Sequence, residues 1–185
     1  AASKAFVEAR GYQHSRSYFR MVIDLNPDLP EAVWPEGIQV RGMQPGEERA
    51  VFKAVTEGFR DHWGFVEEPL DEMVARRMAE IDNDPRFDPS LWYLAMDGDE
   101  IAGFSLCSSS MPEDPGMGWL NQLAVLRPWR KQGLGQALLH HTFREFYKRG
   151  KERVGLGVDA TSLTGATRLY ERAGMHVQKT FHNYE

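Results

Sequence analysis

The sequence predicts an α/β fold with a mixed sheet, and three observations carry that prediction. Apolar residues recur at helical spacing in some stretches and alternate or run unbroken in others. The two kinds of stretch interleave along the chain. Glycine, proline, asparagine and aspartate punctuate the junctions between them. From residue 37 onward the order reads β-α-α-β-β-β-α-β-α-β, a pattern of sheet plus covering helices.

Each element has its own justification. "GIQVRGM" (37–43) is a short alternating strand, and "PGEERAVFKAVTEGFRDHW" (45–63) opens with a helix-type start and keeps apolar residues at helical spacing. "PLDEMVARRMAEID" (69–82) is a second helix. "SLWYLAMDGDEIAGFSLCSSS" (90–110) holds two strands around an Asp-Gly-Asp turn, a hairpin signal. "MGWLNQLAVL" (117–126) is the fourth strand, followed by a glycine-containing segment and a long helix through Arg149. "RVGLGVDA" (153–160), "GATRLYERA" (165–173) and "GMHVQKTFHNY" (174–184) supply a strand, a short helix and a last strand. The stretch "LNPDLPEAVWPEG" (25–37) has three prolines and no apolar period, and reads as a linker over 26–36.

Residues 1–25 fall outside that order. Aligning Phe6 with Leu169 sets Glu8 on Glu171, Gly11 on Gly174 and Tyr18 on Phe181. Both stretches read as a short helix ending on glycine, then a strand. Residues 1–25 are therefore expected to be the last helix and strand of a preceding, related domain, with residues 37–185 the main domain.

Composition narrows the function classes. A 42% hydrophobic, 26% charged chain is ordinary for a globular protein. A net charge of −5 argues against a nucleic-acid partner, and no apolar run is long enough to span a bilayer. A mildly acidic surface suits small cationic substrates, although ordinary intracellular proteins share it. Cys107 is the single cysteine, which excludes an intrachain disulfide and a cysteine zinc site and favours a reducing, cytoplasmic setting.

Chemistry concentrates in "RPWRKQGLGQALL" (127–139). The first backbone N–H groups of a helix are unpaired and carry partial positive charge. Phosphate fits there if side chains do not block it. Gly133 and Gly135 remove the side chains, and Arg130 and Lys131 add positive charge, so the segment is a pyrophosphate seat. A Walker loop is absent. A dinucleotide fingerprint fits poorly, since "RPWRKQ" separates strand from glycine and Leu138 stands where a third glycine belongs, although Asp159 could mimic the ribose-binding acid.

Arg130, Gly133 and Gly135 satisfy the signature R/Q-x-x-G-x-G/A. With "LAVLRPWRKQGLGQALL" and "RLYERAGM" (168–175), residues 37–185 closely resemble the GNAT superfamily of acyl-CoA-dependent N-acetyltransferases. The N-terminal fragment resembles the tandem arrangement found in that superfamily, as in the mycothiol synthase kind. The resemblance implies a mixed, mostly antiparallel sheet flanked by helices, and acetyl transfer from acetyl-CoA to a primary amine without a metal. It implies that backbone groups of Leu123, Ala124 and Val125 pair with the pantetheine arm like an added strand. Amides from Arg130 through Lys131, Gln132, Gly133, Leu134, Gly135 and Gln136 would hold the pyrophosphate, and the N–H near Val125 would polarise the acetyl carbonyl.

Tyr170 is the residue that the resemblance makes the general acid. A phenol of pKa near 10 stays protonated at neutral pH and can donate to a departing thiolate whose acid has a pKa near 8.5. Its alternatives are contact with CoA alone, or packing. Where family members commonly carry an asparagine seven residues earlier, this chain has Leu163, so Ser162 or Thr164 would have to replace it.

The proton acceptor stays open. "GFRDHWGFVEEP" (58–69) borders the acceptor pocket in this family and offers Asp61, His62, Glu67 and Glu68, with Trp63 and Phe65 as walls; each also reads as loop charge or a helix cap. Trp119 and Asn121 occupy a strand position that sometimes holds a carboxylate, so a water-mediated route is open too. His140 and His141 point in different directions on a helix and read as a solvated face rather than a metal site. The acceptor is expected to be a small-molecule amine, with a homodimer and an upstream GNAT-like domain as open partners. A CoA-binding module without turnover is the alternative.

Overall fold

The computed structural model describes residues 2–161 and 165–185. Helix α1 (Ala2–Glu8) and strand β1 (His14–Asp24) precede β2 (Ile38–Gly42), α2 (Glu48–Phe59), α3 (Leu70–Asp82), β3 (Phe87–Asp97) and β4 (Glu100–Ser108). Strand β5 (Met117–Val125), α4 (Leu134–Lys148), β6 (Arg153–Asp159), α5 (Ala166–Arg172) and β7 (His176–Tyr184) follow. From residue 38 on, the elements appear in the expected order.

The strands form one seven-stranded sheet in the order β2-β3-β4-β5-β6-β1-β7. Every neighbouring pair is antiparallel except β5 and β6, which run parallel. Alternation along β3 shows how the sheet is used on both faces. Trp92, Leu94 and Met96 pack with Val51, Phe52 and Val55 of α2 and Met73 of α3. Leu91 and Tyr93 face the other way, in a cluster with Leu139, Phe143 and Phe146 of α4 and Tyr170 of α5. Helix α4 sits close to the sheet because Gly118 has no side chain: a Cβ there would stand 2.5 Å from the Phe146 ring.

Strand β1 lies between β6 and β7, in the same sheet as the rest. Tyr18 and Phe181, equivalent in the internal alignment, are cross-strand neighbours. Residues 25–37 contain no helix or strand but are pinned to the body of the domain. Leu29 is buried, and Arg144 of α4 donates to its carbonyl at 2.7 Å. Trp34 packs beside Leu134 and Leu138. That wrapping corrects the solvated reading of the helix histidines. His141 is only partly exposed, with its ring 4.7 Å from that of Tyr93 and 5.7 Å from that of Trp34. Burial lowers its pKa. Among the described residues no helix is long and apolar enough to cross a membrane.

Two irregularities prepare the site. The β4–β5 register shifts between Leu106 and Cys107, so Asn121 is a bulged residue without a β4 partner. The β5–β6 pairing stops at Leu120 and Leu156. Beyond that point the two strands part. β6 continues through Asp159 because β1 holds its other edge, pairing Arg20 with Gly157 and Tyr18 with Asp159.

Candidate active site

The parted strands open a cleft of about 940 Å³. It passes through the sheet. On one side lie Gly133, Gly135, Leu169 and Tyr170 from α4, its leading loop and α5; on the other lie Phe59, Asp61, His62 and Trp63 at the end of α2. The strand edges between them contribute Leu120 through Val125 and Leu156 through Asp159.

The glycine segment is shaped for an anion. Ala137 makes the first helical bond of α4, to the Gly133 carbonyl, so the amides of Leu134, Gly135 and Gln136 are the unpaired donors of the first turn. Gly133 has φ +87°, and a Cβ on it would meet nothing within 4 Å, so bare backbone faces open space. Lys131 has φ +64°, the one positive φ outside glycine among the described residues. Such strain clusters at ligand clamps. Gly135 serves packing instead, since a Cβ there would stand 3.1 Å from Leu169. Gln132 does not line the cleft; its amide donates to the Pro128 carbonyl at 3.1 Å. The Arg130 side chain turns back from the loop, donating to the Val125 carbonyl at 2.9 Å and to Asp61 at 2.7 Å.

Strand β5 presents a free edge to the cleft. Leu126 donates to Ala102 of β4, so antiparallel alternation points the backbone groups of Ala124 at β4 as well. Those of Leu123 and Val125 turn to the open side. Arg130 caps the Val125 carbonyl, leaving the Val125 N–H and both Leu123 groups for an extended ligand. Ser162 and Thr164, the hydroxyls expected against such a ligand, lie outside the described residues.

Tyr170 lines the cleft from α5 with 8% of its surface exposed, and burial pushes its pKa up to about 12. The phenol is therefore protonated throughout the neutral range. On the far side, Asp61 binds two guanidinium groups, Arg127 at 2.5 Å and Arg130 at 2.7 Å, which hold its carboxyl well below the usual carboxylate range. Asp159 accepts from Arg16 at 2.5 Å on one oxygen and from the Thr161 amide and hydroxyl at 2.8 Å each on the other, so both of its oxygens are engaged. Glu67 and Glu68 stay outside the cleft, paired with Arg60 at 2.9 Å and Arg76 at 2.6 Å.

The family model for the acetyltransferase (GNAT) family matches residues 52–175, the span holding the glycine segment and Tyr170. The chain belongs to the GNAT acetyltransferase family. Mycothiol acetyltransferase from Streptomyces scabiei is 29% identical over 170 residues, 91% of this chain and 52% of that protein. The enzyme of the same name from Streptomyces griseus is 32% identical over 171 residues, covering 88% and 50%. Thus the chain spans about half the length of the curated relatives it matches. A solved GCN5-related N-acetyltransferase from Sphaerobacter thermophilus superposes with a TM-score of 0.80 at 36% identity, over 99% of this chain and 55% of that one. The GNAT assignment overturns the dinucleotide reading.

Arg16 and Tyr18 are among the residues of this GNAT cleft that sequence reasoning missed. Both come from β1, in the segment expected to belong to a preceding domain. Arg16 ties Asp159 to the loop after α2, its guanidinium carbon lying 4.0 Å over the Trp63 ring. Their signal was weak: only alternation along "SRSYFRMVI" puts Arg16 and Tyr18 on one face, and nothing local says which strand they join.

Proposed function

We propose that this GNAT domain transfers the acetyl group of acetyl-CoA to the primary amine of a small-molecule acceptor. The observation that carries the reading is a single cleft that joins three unpaired helix amides, the free edge of β5 and the protonated Tyr170 phenol. Open space over Gly133 fits a diphosphate, and the Leu123 and Val125 backbone groups fit an amide-bearing arm. Acetyl-CoA supplies the activated thioester. Lys131 and the first-turn amides anchor its charged end, the Val125 N–H withdraws electrons from the carbonyl, and Tyr170 donates its proton to sulfur as the carbon–sulfur bond breaks. The mycothiol acetyltransferase relatives support a small molecule as acceptor. The equivalence of residues 1–25 with the chain's own last helix and strand supports reading them as the end of a preceding GNAT-like domain that completes this sheet.

The test is CoA release over a panel of amines by wild type and Tyr170→Phe. The variant should retain acetyl-CoA affinity while kcat falls by roughly 10²-fold or more. Acetyl-CoA binding without turnover on any amine would make the domain a binding module instead.

A further inference from the structure

An amine reaches the cleft as ammonium and must lose a proton before it can attack. The acids that border the acceptor side are all committed. Asp61 holds Arg127 and Arg130, Asp159 holds Arg16 and Thr161, Glu67 holds Arg60, and Glu68 holds Arg76. A carboxylate bridging guanidinium groups is a poor base, because protonating it breaks those pairs. Of the described side chains lining the cleft, His62 is the one with an ordinary pKa near neutrality that is not engaged in such a pair. Its ring rests against Phe59, 4.5 Å between centroids, which fixes it at the cleft wall.

We propose that His62 is the proton acceptor of the reaction, taking the ammonium proton through water in a half-cleft whose carboxylates are all tied to arginines. The inference rests on the acetyl-transfer reading above. His62 removes one proton from nitrogen and returns it to solvent. The amine nitrogen then bonds to the acetyl carbon, the carbon–sulfur bond breaks, and sulfur takes the Tyr170 proton. The nitrogen's second proton passes through water back to Tyr170, so the cycle closes with the amide, free CoA thiol and one proton released.

The surroundings suit the role. Asp61 and Trp63 flank His62 on its own loop, Arg130 from the segment after β5 and Asp159 from β6 act on it by charge, Arg127 is bound to Asp61, and Arg16 and Tyr18 line the same cleft from β1. Burial lowers the imidazole's pKa, and the Arg130 charge adds to that, outweighing the two aspartates. The group is thus neutral, and able to accept, from below pH 6.5 upward.

The experiment compares wild type with His62→Ala and His62→Gln under saturating acetyl-CoA, measuring kcat against pH and acetyl-CoA affinity by calorimetry. Both variants should bind acetyl-CoA as wild type does, lose roughly 10²-fold in kcat at pH 7, and replace the acid limb below pH 6.5 with a rate that climbs steadily with pH. Added imidazole should restore His62→Ala by about tenfold and leave His62→Gln, whose side chain fills the space, unimproved. Wild-type kcat and acid limb in the variants, or no imidazole rescue, would overturn the proposal while leaving acetyl transfer intact. Failure of wild type to release CoA with any amine would instead remove the acetyl-transfer reading itself.

Discussion

Replacing Gly133 with alanine separates the two jobs that the glycine segment combines. The backbone at Gly133 is left-handed, with φ +87° and ψ −7°. An L residue there costs about 1–2 kcal/mol. In a chain of this size each kcal/mol lowers Tm by about 2–4 °C, so the fold should survive with a modest shift. The new methyl meets no protein atom within 4 Å; it projects into the space where the diphosphate is expected. Displacing one charge-assisted hydrogen bond to an amide costs about 1.5–3 kcal/mol. That converts to a loss of acetyl-CoA affinity of roughly tenfold to a hundredfold. Calorimetric titration with acetyl-CoA and a thermal melt of the free protein read the two effects separately. A Gly133→Ala protein that binds acetyl-CoA within a factor of two of wild type would refute the placement of the diphosphate.

Other substitutions probe the sheet and the Asp61 clamp. Gly118→Ala drives a methyl into the Phe146 ring and should cost about 1–3 kcal/mol in a denaturant or thermal melt. Gly157→Ala, where a Cβ would meet nothing within 4 Å, should leave Tm unchanged and raise the acceptor KM, because it narrows the floor between β5 and β1. The depressed pKa of Asp61 makes its contribution to stability fully present above the unfolded carboxylate range near 4 and lost as pH falls through the folded value. Melts of wild type and Asp61→Asn should therefore differ at pH 7 and converge as the pH is lowered well below 4.

The order of elements was legible because it is written in local patterns. The hairpin at Asp97–Glu100 needs only its turn and two apolar runs, and the phosphate seat needs only glycines before a helix. The parting of β5 from β6 is not written that way. Its cause is a pairing that ends at Leu120 and Leu156, fixed by the bulge at Asn121 and by β1 on the far side of β6. Neither is a property of one segment.

The place of β1 shows the limit most clearly. Its helix-then-strand pattern is visible in the sequence, and so is its kinship with the last helix and strand. What the pattern lacks is a partner: the strand enters between β6 and β7, more than a hundred residues away, where it brings Arg16 to Asp159. The same separation hid the fate of the acids. A net charge of −5 and an acid-bearing loop suggest a pocket for cations, yet the carboxylates among the described cleft residues are neutralised by three arginines from two other segments: Arg16 from β1, and Arg127 and Arg130 from the segment after β5. Total charge describes the surface as a whole, whereas the charge that an arriving amine meets is set by a few pairs within about 4 Å of one another. Those pairs, rather than the composition, leave an imidazole as the group free to take a proton.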